Sequence, residues 1–262
     1  MWNNKTIWII GASRGIGAAL AQMLHQKGAF VVLSSRDQKS LSEIQSTLSN
    51  PKRSSIIPID LTNESSIQKG IQLFNSQHSQ CDIVIHCGGI SQRALSVETS
   101  IEVTRKIFES NFFGHIRLTQ SVLPGMVQKK SGKIIVISSL TGKWGFYLRS
   151  SYAASKHALH GYYDSVRMEV EKDNVQVHMV TPGFIATDIS KHALNSNGEA
   201  DGAMDSHQAQ GISAKDCAEQ IIKGVEQNKI EFGVGGKELF SLFLHQYFPH
   251  LFRKILKRQS AR

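Results

Sequence analysis

The chain has 262 residues, 40% of them apolar and 19% charged, with a formal net charge of +9. That length can bury a sizeable core, and the composition, without repeats or low-complexity tracts, argues against intrinsic disorder. No apolar run approaches the roughly 18 residues of a membrane span. No basic stretch is interleaved with aromatics as a base-stacking platform would be, so no nucleic-acid partner is expected.

Short β-rich runs alternate with longer helix-patterned segments. "MWNNKTIWIIGASRG" opens with a strand, TIWII, running into a glycine turn, which argues against a signal peptide. A helix is predicted over Gly15 to Lys27, then the strand FVVLSS, a helix over Lys39 to Ser49, the strand SSIIPID and a helix over Glu64 to Phe74. CDIVIH and GKIIVISS are uninterrupted apolar strands, as expected when helices cover both sheet faces. Helices over Ile101 to Gln128 and Tyr152 to Lys172 flank the latter. VQVHMVTP, a helix over Ala214 to Gln227 and the strand IEFGV complete the pattern. The alternation predicts an α/β fold: one doubly wound Rossmann-type domain over 1–262, with about seven mostly parallel strands and helices on both faces.

Two segments depart from the pattern. Lys191 to Gly211 is polar and weakly periodic, either a disordered insertion or a lid; with Phe184 onward it forms the expected mobile substrate loop, about 184–211. From 237 to 262 the tail places Phe240, Phe243, Leu244, Tyr247 and Phe248 at helical spacing, with Pro249 expected to break it before a second short helix. That tail holds six Lys/Arg against one acid. It admits three readings: packing over the sheet end or in a subunit interface, a greasy substrate entrance, or a peripheral membrane contact. The three cysteines, Cys81, Cys87 and Cys217, are few and odd in number. They suggest a reducing compartment, so the expected localisation is cytoplasmic, with membrane association as the tail's alternative.

After the first strand, "GASRGIG" places Gly11, Gly15 and Gly17 where a diphosphate must approach the backbone, at the start of a helix whose free N–H groups face that anion. At the end of the second strand stand Ser35 and Arg36, where an NAD site often carries an acid. Serine and arginine suit a 2′-phosphate, and Arg14 is placed to close on it, so NADP(H) is favoured over NAD(H). Asp37 is the competing residue, placed for a ribose if the strand ends later.

The glycine turn, with Tyr152 and Lys156 in "SSYAASKHAL", resembles the short-chain dehydrogenase/reductase family over nearly the whole chain. Ser139 lies 13 positions before Tyr152, and Asn111 lies 41 before it. "TPGFIATD" is similar to the family's nicotinamide-contacting segment, and Asp60 to its adenine-contacting acid. The resemblance implies catalytic Asn111, Ser139, Tyr152 and Lys156. It also implies cofactor contacts from Gly11, Ser13, Arg14, Gly15, Ile16, Gly17, Ser35, Arg36, Asp60, Leu61, Gly88, Gly89, Tyr152, Lys156, Pro182, Gly183, Ile185 and Thr187, and a homodimer or homotetramer. Two positions depart from the family pattern: Ile10 stands in place of the frequent threonine, and "HCGG", His86 to Gly89, in place of N-N-A-G. His86 and Cys87 are adjacent without distant partners, so no metal is expected. His157 and His160 are assigned no role.

Residues i and i+4 share a helix face, which puts Lys156 beneath Tyr152. A cation about 4 Å from a phenol, at an effective dielectric near 20, is worth roughly 4 kcal/mol. Lys156 is therefore expected to draw the tyrosine pKa down from about 10 toward the range of a general acid/base. The expected function is an NADP(H)-dependent oxidoreductase interconverting a carbonyl and an alcohol of an apolar small molecule. The alternative is a non-catalytic dinucleotide-sensing or scaffolding protein on the same fold.

Overall fold

The computed structural model describes residues 1–203 and 205–260. Met204 in the expected loop, and Ala261 and Arg262 at the end of the expected tail, lie outside the described residues. In chain order the elements are β1 (Thr6–Ile10), α1 (Gly15–Gln26), β2 (Phe30–Ser34), α2 (Gln38–Ser46), β3 (Ser54–Ile56), α3 (Glu64–Gln77), β4 (Ile83–His86) and α4 (Ile101–Phe108). They continue with α5 (Gly114–Lys129), β5 (Gly132–Ile137), α6 (Ser150–Val170), β6 (Val175–Pro182), β7 (Ile185–Ala186), α7 (Ser206–Ala209) and β8 (Ile212–Ser213). The last are α8 (Ala214–Glu226), β9 (Glu231–Val234), α9 (Phe240–Tyr247) and α10 (Pro249–Ser260).

Seven strands form one sheet in the order β3-β2-β1-β4-β5-β6-β9. Every neighbouring pair is parallel, so the expectation of a mostly parallel sheet becomes an entirely parallel one. Alternate residues of β1 serve opposite faces, as the two-residue strand period requires. Ile7 and Ile9 join Leu20, Leu24, Leu33 and Ile221 in the core beneath α1 and α8. Trp8 and Ile10 join Phe74, Val84, Leu118 and Tyr163 beneath α3, α5 and α6. Each such fully buried side chain stabilises the fold by about 1.5–3 kcal/mol relative to exposure. Strand order reverses between β1 and β4, which opens a crevice at the carboxyl ends of those strands, the usual ligand position in such sheets.

Two differences from the expected elements bear on the site. The third strand ends at Ile56, although Ile57 and Ile59 still donate to the Leu33 and Ser35 carbonyls; Pro58 between them faces the open edge of the sheet, where a missing N–H leaves no partner unpaired. The single helix expected over Ile101 to Gln128 is interrupted by a π-helical turn, Glu109–Phe113, that carries Asn111.

Candidate active site and cofactor cleft

Two cavities meet at the carboxyl ends of the strands. The first, about 330 Å³, lies over the crevice between β1 and β4. Gly11, Ser13, Arg14, Gly15, Ile16 and Gly17 line it from the turn after β1. Ser35 and Arg36 line it from the end of β2, Asp60 and Leu61 from after β3, Gly88 and Gly89 from after β4, and Thr187 from after β7. Gly11 has φ +89°, and a Cβ on it would come within 2.5 Å of the Gly88 nitrogen. A Cβ on Gly17 would come within 2.1 Å of the Gly11 carbonyl oxygen. Only glycine permits this turn.

The start of α1 differs from that of its neighbours. Asp37, Asn63, Ser100 and Ser213 each cap a helix with a side-chain oxygen, whereas Arg14 at the start of α1 makes no such bond. The first-turn N–H groups of α1 thus open into a glycine-walled cleft, a geometry that fits a dinucleotide diphosphate. Asp37, the competing ribose ligand of the sequence, accepts from Lys39 and Ser40 as the cap of α2. Asp60 accepts from the Thr62 amide at 2.9 Å and its hydroxyl at 2.7 Å. Arg14 contacts the His192 ring across the cleft. Of the remaining expected cofactor residues, Gly183 lines the second cavity. Pro182 ends β6, and Ile185 is buried in the β7–β8 pair.

The second cavity, about 310 Å³, is lined by Ser139, Tyr152 and Arg149, by apolar side chains before the tail such as Trp144 and Phe184, and by Phe240, Leu244, Phe252, Ile255 and Leu256 of the tail. Ile189 lines both cavities. Tyr152 is in the first turn of α6 and 8% exposed, and it shares the pocket wall with Ser139. Lys156, one turn along and 4% exposed, donates to the Ile137 carbonyl at 2.9 Å. A Cβ on Gly89, in the cleft wall, would lie 3.7 Å from Lys156 Nζ. Asn111, fully buried, exchanges two hydrogen bonds with the Ile90 backbone, at 2.8 and 3.0 Å, and donates to Ser155 Oγ at 3.0 Å. Ser155 in turn donates to the Tyr152 carbonyl at 2.7 Å. The π-helical turn points Asn111 at this loop, so Asn111 and Lys156 stand behind the cleft wall at Ile90 and Gly89, while Ser139 and Tyr152 line the second cavity.

One expectation is corrected. Lys156 is not the group that draws the phenol down. Burial pushes the Tyr152 pKa above its ordinary value, opposed by the Ser139 hydrogen bond and by the Arg149 guanidinium. Lys156 Nζ lies 5.9 Å from the centre of the Tyr152 ring, because its side chain turns toward the end of β5. Burial brings Lys156 itself down to about 8.

Several site residues have no local sequence signal. Gln92, fully buried, accepts from Ser151 N at 2.7 Å and so caps α6 from the loop after β4. Arg149 donates to Ser91 Oγ and to Asp205, both at 2.9 Å. The segment over Lys191 to Gly211 is fastened to the same loop: Leu194 exchanges backbone bonds with Ser91 and Arg93, and Arg93 pairs with Asp201 at 3.0 Å. His86 stands where the family has asparagine, and it bonds Thr119 at 2.8 Å, which bonds Tyr163 at 2.8 Å. Its ring stacks on His115, with centroids 4.8 Å apart. Ile10, the other departure, is buried in the core. His160 bonds Ser138 Oγ at 2.9 Å, and His157 bonds the Ala153 carbonyl. Among the described residues no group of three or more His, Cys, Asp or Glu is arranged to hold a metal ion.

A family model described as short chain dehydrogenase matches residues 5–198. Dehydrogenase/reductase SDR family member 7B of Danio rerio is 34% identical over 267 residues, covering 99% of this chain and 86% of that protein. Dehydrogenase/reductase SDR family protein 7-like of Anopheles gambiae is 39% identical over 233 residues, covering 87% of this chain and 74% of that one. A short-chain dehydrogenase from Streptomyces avermitilis superposes with a TM-score of 0.82 at 23% identity, over 99% of this chain and 98% of its own. Another, from Sphingobium yanoikuyae in complex with NADPH, superposes with a TM-score of 0.78 at 22% identity, over 87% of each chain. With sheet order, glycine turn and tetrad in register, the chain belongs to the short-chain dehydrogenase/reductase family.

Proposed function

We propose that the protein is an NADP(H)-dependent oxidoreductase that interconverts a carbonyl and an alcohol on an apolar small molecule. The observation that carries this reading is the placement of Ser139 and Tyr152 together on the wall of one pocket, with Lys156 one turn along beside the cleft. When bound, the nicotinamide cofactor supplies or accepts the hydride. Tyr152 protonates the carbonyl oxygen in reduction and takes the proton back in oxidation. Ser139 donates to the same oxygen. Lys156, cationic near neutrality, holds the ribose hydroxyls, and Asn111 fixes the Ile90 loop against α6. The α1 N-terminus and glycine turn hold the diphosphate. Ser35 and Arg36, with Arg14 opposite and Asp37 engaged as a cap, support a 2′-phosphate and hence NADP(H) over NAD(H). An NADPH-bound relative of the same fold is consistent with this choice.

Family membership supports a homodimer or homotetramer. The cysteines, Cys81 and Cys217 buried and Cys87 half-buried, all unpaired, support a reducing, cytoplasmic setting. Among the described residues no helix is long and apolar enough to cross a membrane. The test is a panel of apolar ketones and aldehydes scored for NADPH and NADH consumption. Turnover with NADPH preferred is expected. Tight NADPH binding with no turnover on any carbonyl would instead identify a dinucleotide sensor.

A further inference from the structure

The hairpin of α9 and α10 presents two apolar faces. Inward, Leu244, Phe252 and Leu256 line the apolar pocket, and Phe252 packs edge-on against Trp144 with centroids 4.8 Å apart. Outward, Phe240, Phe243, Tyr247, Phe248 and Leu251 are between 47% and 62% exposed. Phe243 touches the rings of Phe240, Tyr247 and Phe248 at centroid distances of 5.6, 4.9 and 5.9 Å, so the aromatics form one patch. Scattered exposed apolar residues need no explanation, but a contiguous aromatic patch marks a contact surface. Phe240 and Ile255 belong to both faces: each lines the pocket and is 62% and 36% exposed, respectively. An apolar path therefore runs from the outer patch into the pocket.

Charge selects the occupant. Arg253, Lys254 and Arg258 are exposed on α10, and no Asp or Glu follows Glu238 in the sequence. A second copy meeting this face about a two-fold axis would bring like charges together. An anionic lipid surface complements both the aromatics and the cations. We propose that the α9–α10 hairpin seats on an anionic membrane surface, with the Phe243 patch at the headgroup boundary and the α10 cations against lipid phosphates. The pocket behind it then receives an amphiphilic carbonyl substrate from that surface; this second part rests on the function proposed above, whereas the docking does not.

The experiment floats the full chain with phosphatidylcholine vesicles, with and without phosphatidylserine. Two double variants accompany it: Phe243→Ser with Tyr247→Ser, and Lys254→Glu with Arg258→Glu. None of these four side chains lines either cavity, and NADPH binding and thermal melting confirm that each variant is folded. Vesicle recovery is expected to rise about tenfold or more with phosphatidylserine and to fall by a similar factor in either variant. Recovery independent of phosphatidylserine, or unchanged in both variants, overturns the docking. A dimer that the aromatic variant dissociates, without vesicle binding by the parent chain, assigns the face to a second copy. Turnover of a long-chain ketone held in vesicles should fall in the variants while that of a short soluble ketone is kept. Loss of both would count against the pocket reading, and retention of both against delivery from the membrane.

Discussion

The cleft of about 330 Å³ beneath the glycine turn and the pocket of about 310 Å³ beneath the tail share Ile189 but are built from different material. Much of the cleft is main chain: Gly11 and Gly17 lie so close to the backbone of Gly88 and Gly11 that a Cβ has no room, and the first amides of α1 carry no side-chain cap. The pocket is side chain: Trp144, Phe240, Leu244 and Phe252 reach it from two separate stretches, and Arg149 and Asp205 close one side. A main-chain site is shared by any sequence that keeps the turn. A side-chain site is redrawn by each substitution. This difference explains why cofactor chemistry follows from family membership and substrate identity does not.

The boundary between the two cavities is the most sensitive place to break that comparison. Tyr152→Phe should lower turnover by about 10²–10⁴-fold while leaving NADPH binding intact. A Tyr152→Phe protein with near-normal turnover would remove the proton-transfer role altogether.

Acid stability probes the floor beneath the cleft. Burial holds His86 down to about 3, and burial with the Lys143 charge holds His160 down to about 4, against an ordinary value of 6.5. Below about pH 6.5 the unfolded chain therefore binds protons that the folded chain refuses. Their contribution is complete above that pH and is lost as pH falls. At pH 5 each should cost about 2 kcal/mol relative to pH 7.5, read as a lower urea midpoint. His86→Asn should flatten this slope; an unaltered slope would show that the buried imidazole is not its source.

Cofactor choice sharpens the main-chain side of the comparison, because it is the one property of the cleft assigned to side chains. Arg36→Ala should weaken NADPH about tenfold to a hundredfold, as loss of a charge-assisted contact does, and leave NADH nearly unchanged. Equal losses for both cofactors would point to damage of the turn rather than loss of a 2′-phosphate contact.

The smallest effect concerns the pocket wall. The Arg149 guanidinium favours the Tyr152 phenolate, so Arg149→Met should move the limb of the oxidation pH profile governed by that group to higher pH. Loss of its pairing with Asp205 should cost on the order of 1 kcal/mol of stability. Arg149→Lys should restore the profile in part, and a profile that does not move would restrict Arg149 to holding the loop.

The sequence made legible whatever neighbouring residues determine together. The alternation of Ile7 and Ile9 with Trp8 and Ile10, the apolar β4 and β5, the glycine spacing and the interval from Ser139 to Tyr152 are all short-range patterns. They located the sheet and the cleft. The missed features depend on contacts between distant segments. Gln92 caps a helix 59 residues further on, Arg149 reaches Asp205 56 residues away, and Asn111 finds Ile90 only because a π-helical turn rotates it there. The Tyr152–Lys156 expectation failed for a related reason. Spacing put both on one helix face, but burial and the Ile137 carbonyl, which belong to the sheet below, decided where the lysine points and what the phenol experiences.

Glu238 shows how the tail is fastened to the pocket. Its carboxylate accepts from the amides of Phe184 and Gly236, at 2.9 and 3.0 Å, and a Cβ on Gly183 would come within 2.1 Å of it. One side chain thus pins the root of the tail to the segment leaving β6. Beyond that pin, every residue that lines a cavity lines the pocket and none lines the diphosphate cradle, which makes Gly236 a natural splice junction. Chimaeras exchanged there would trade one wall of the pocket for another on an unaltered nucleotide platform.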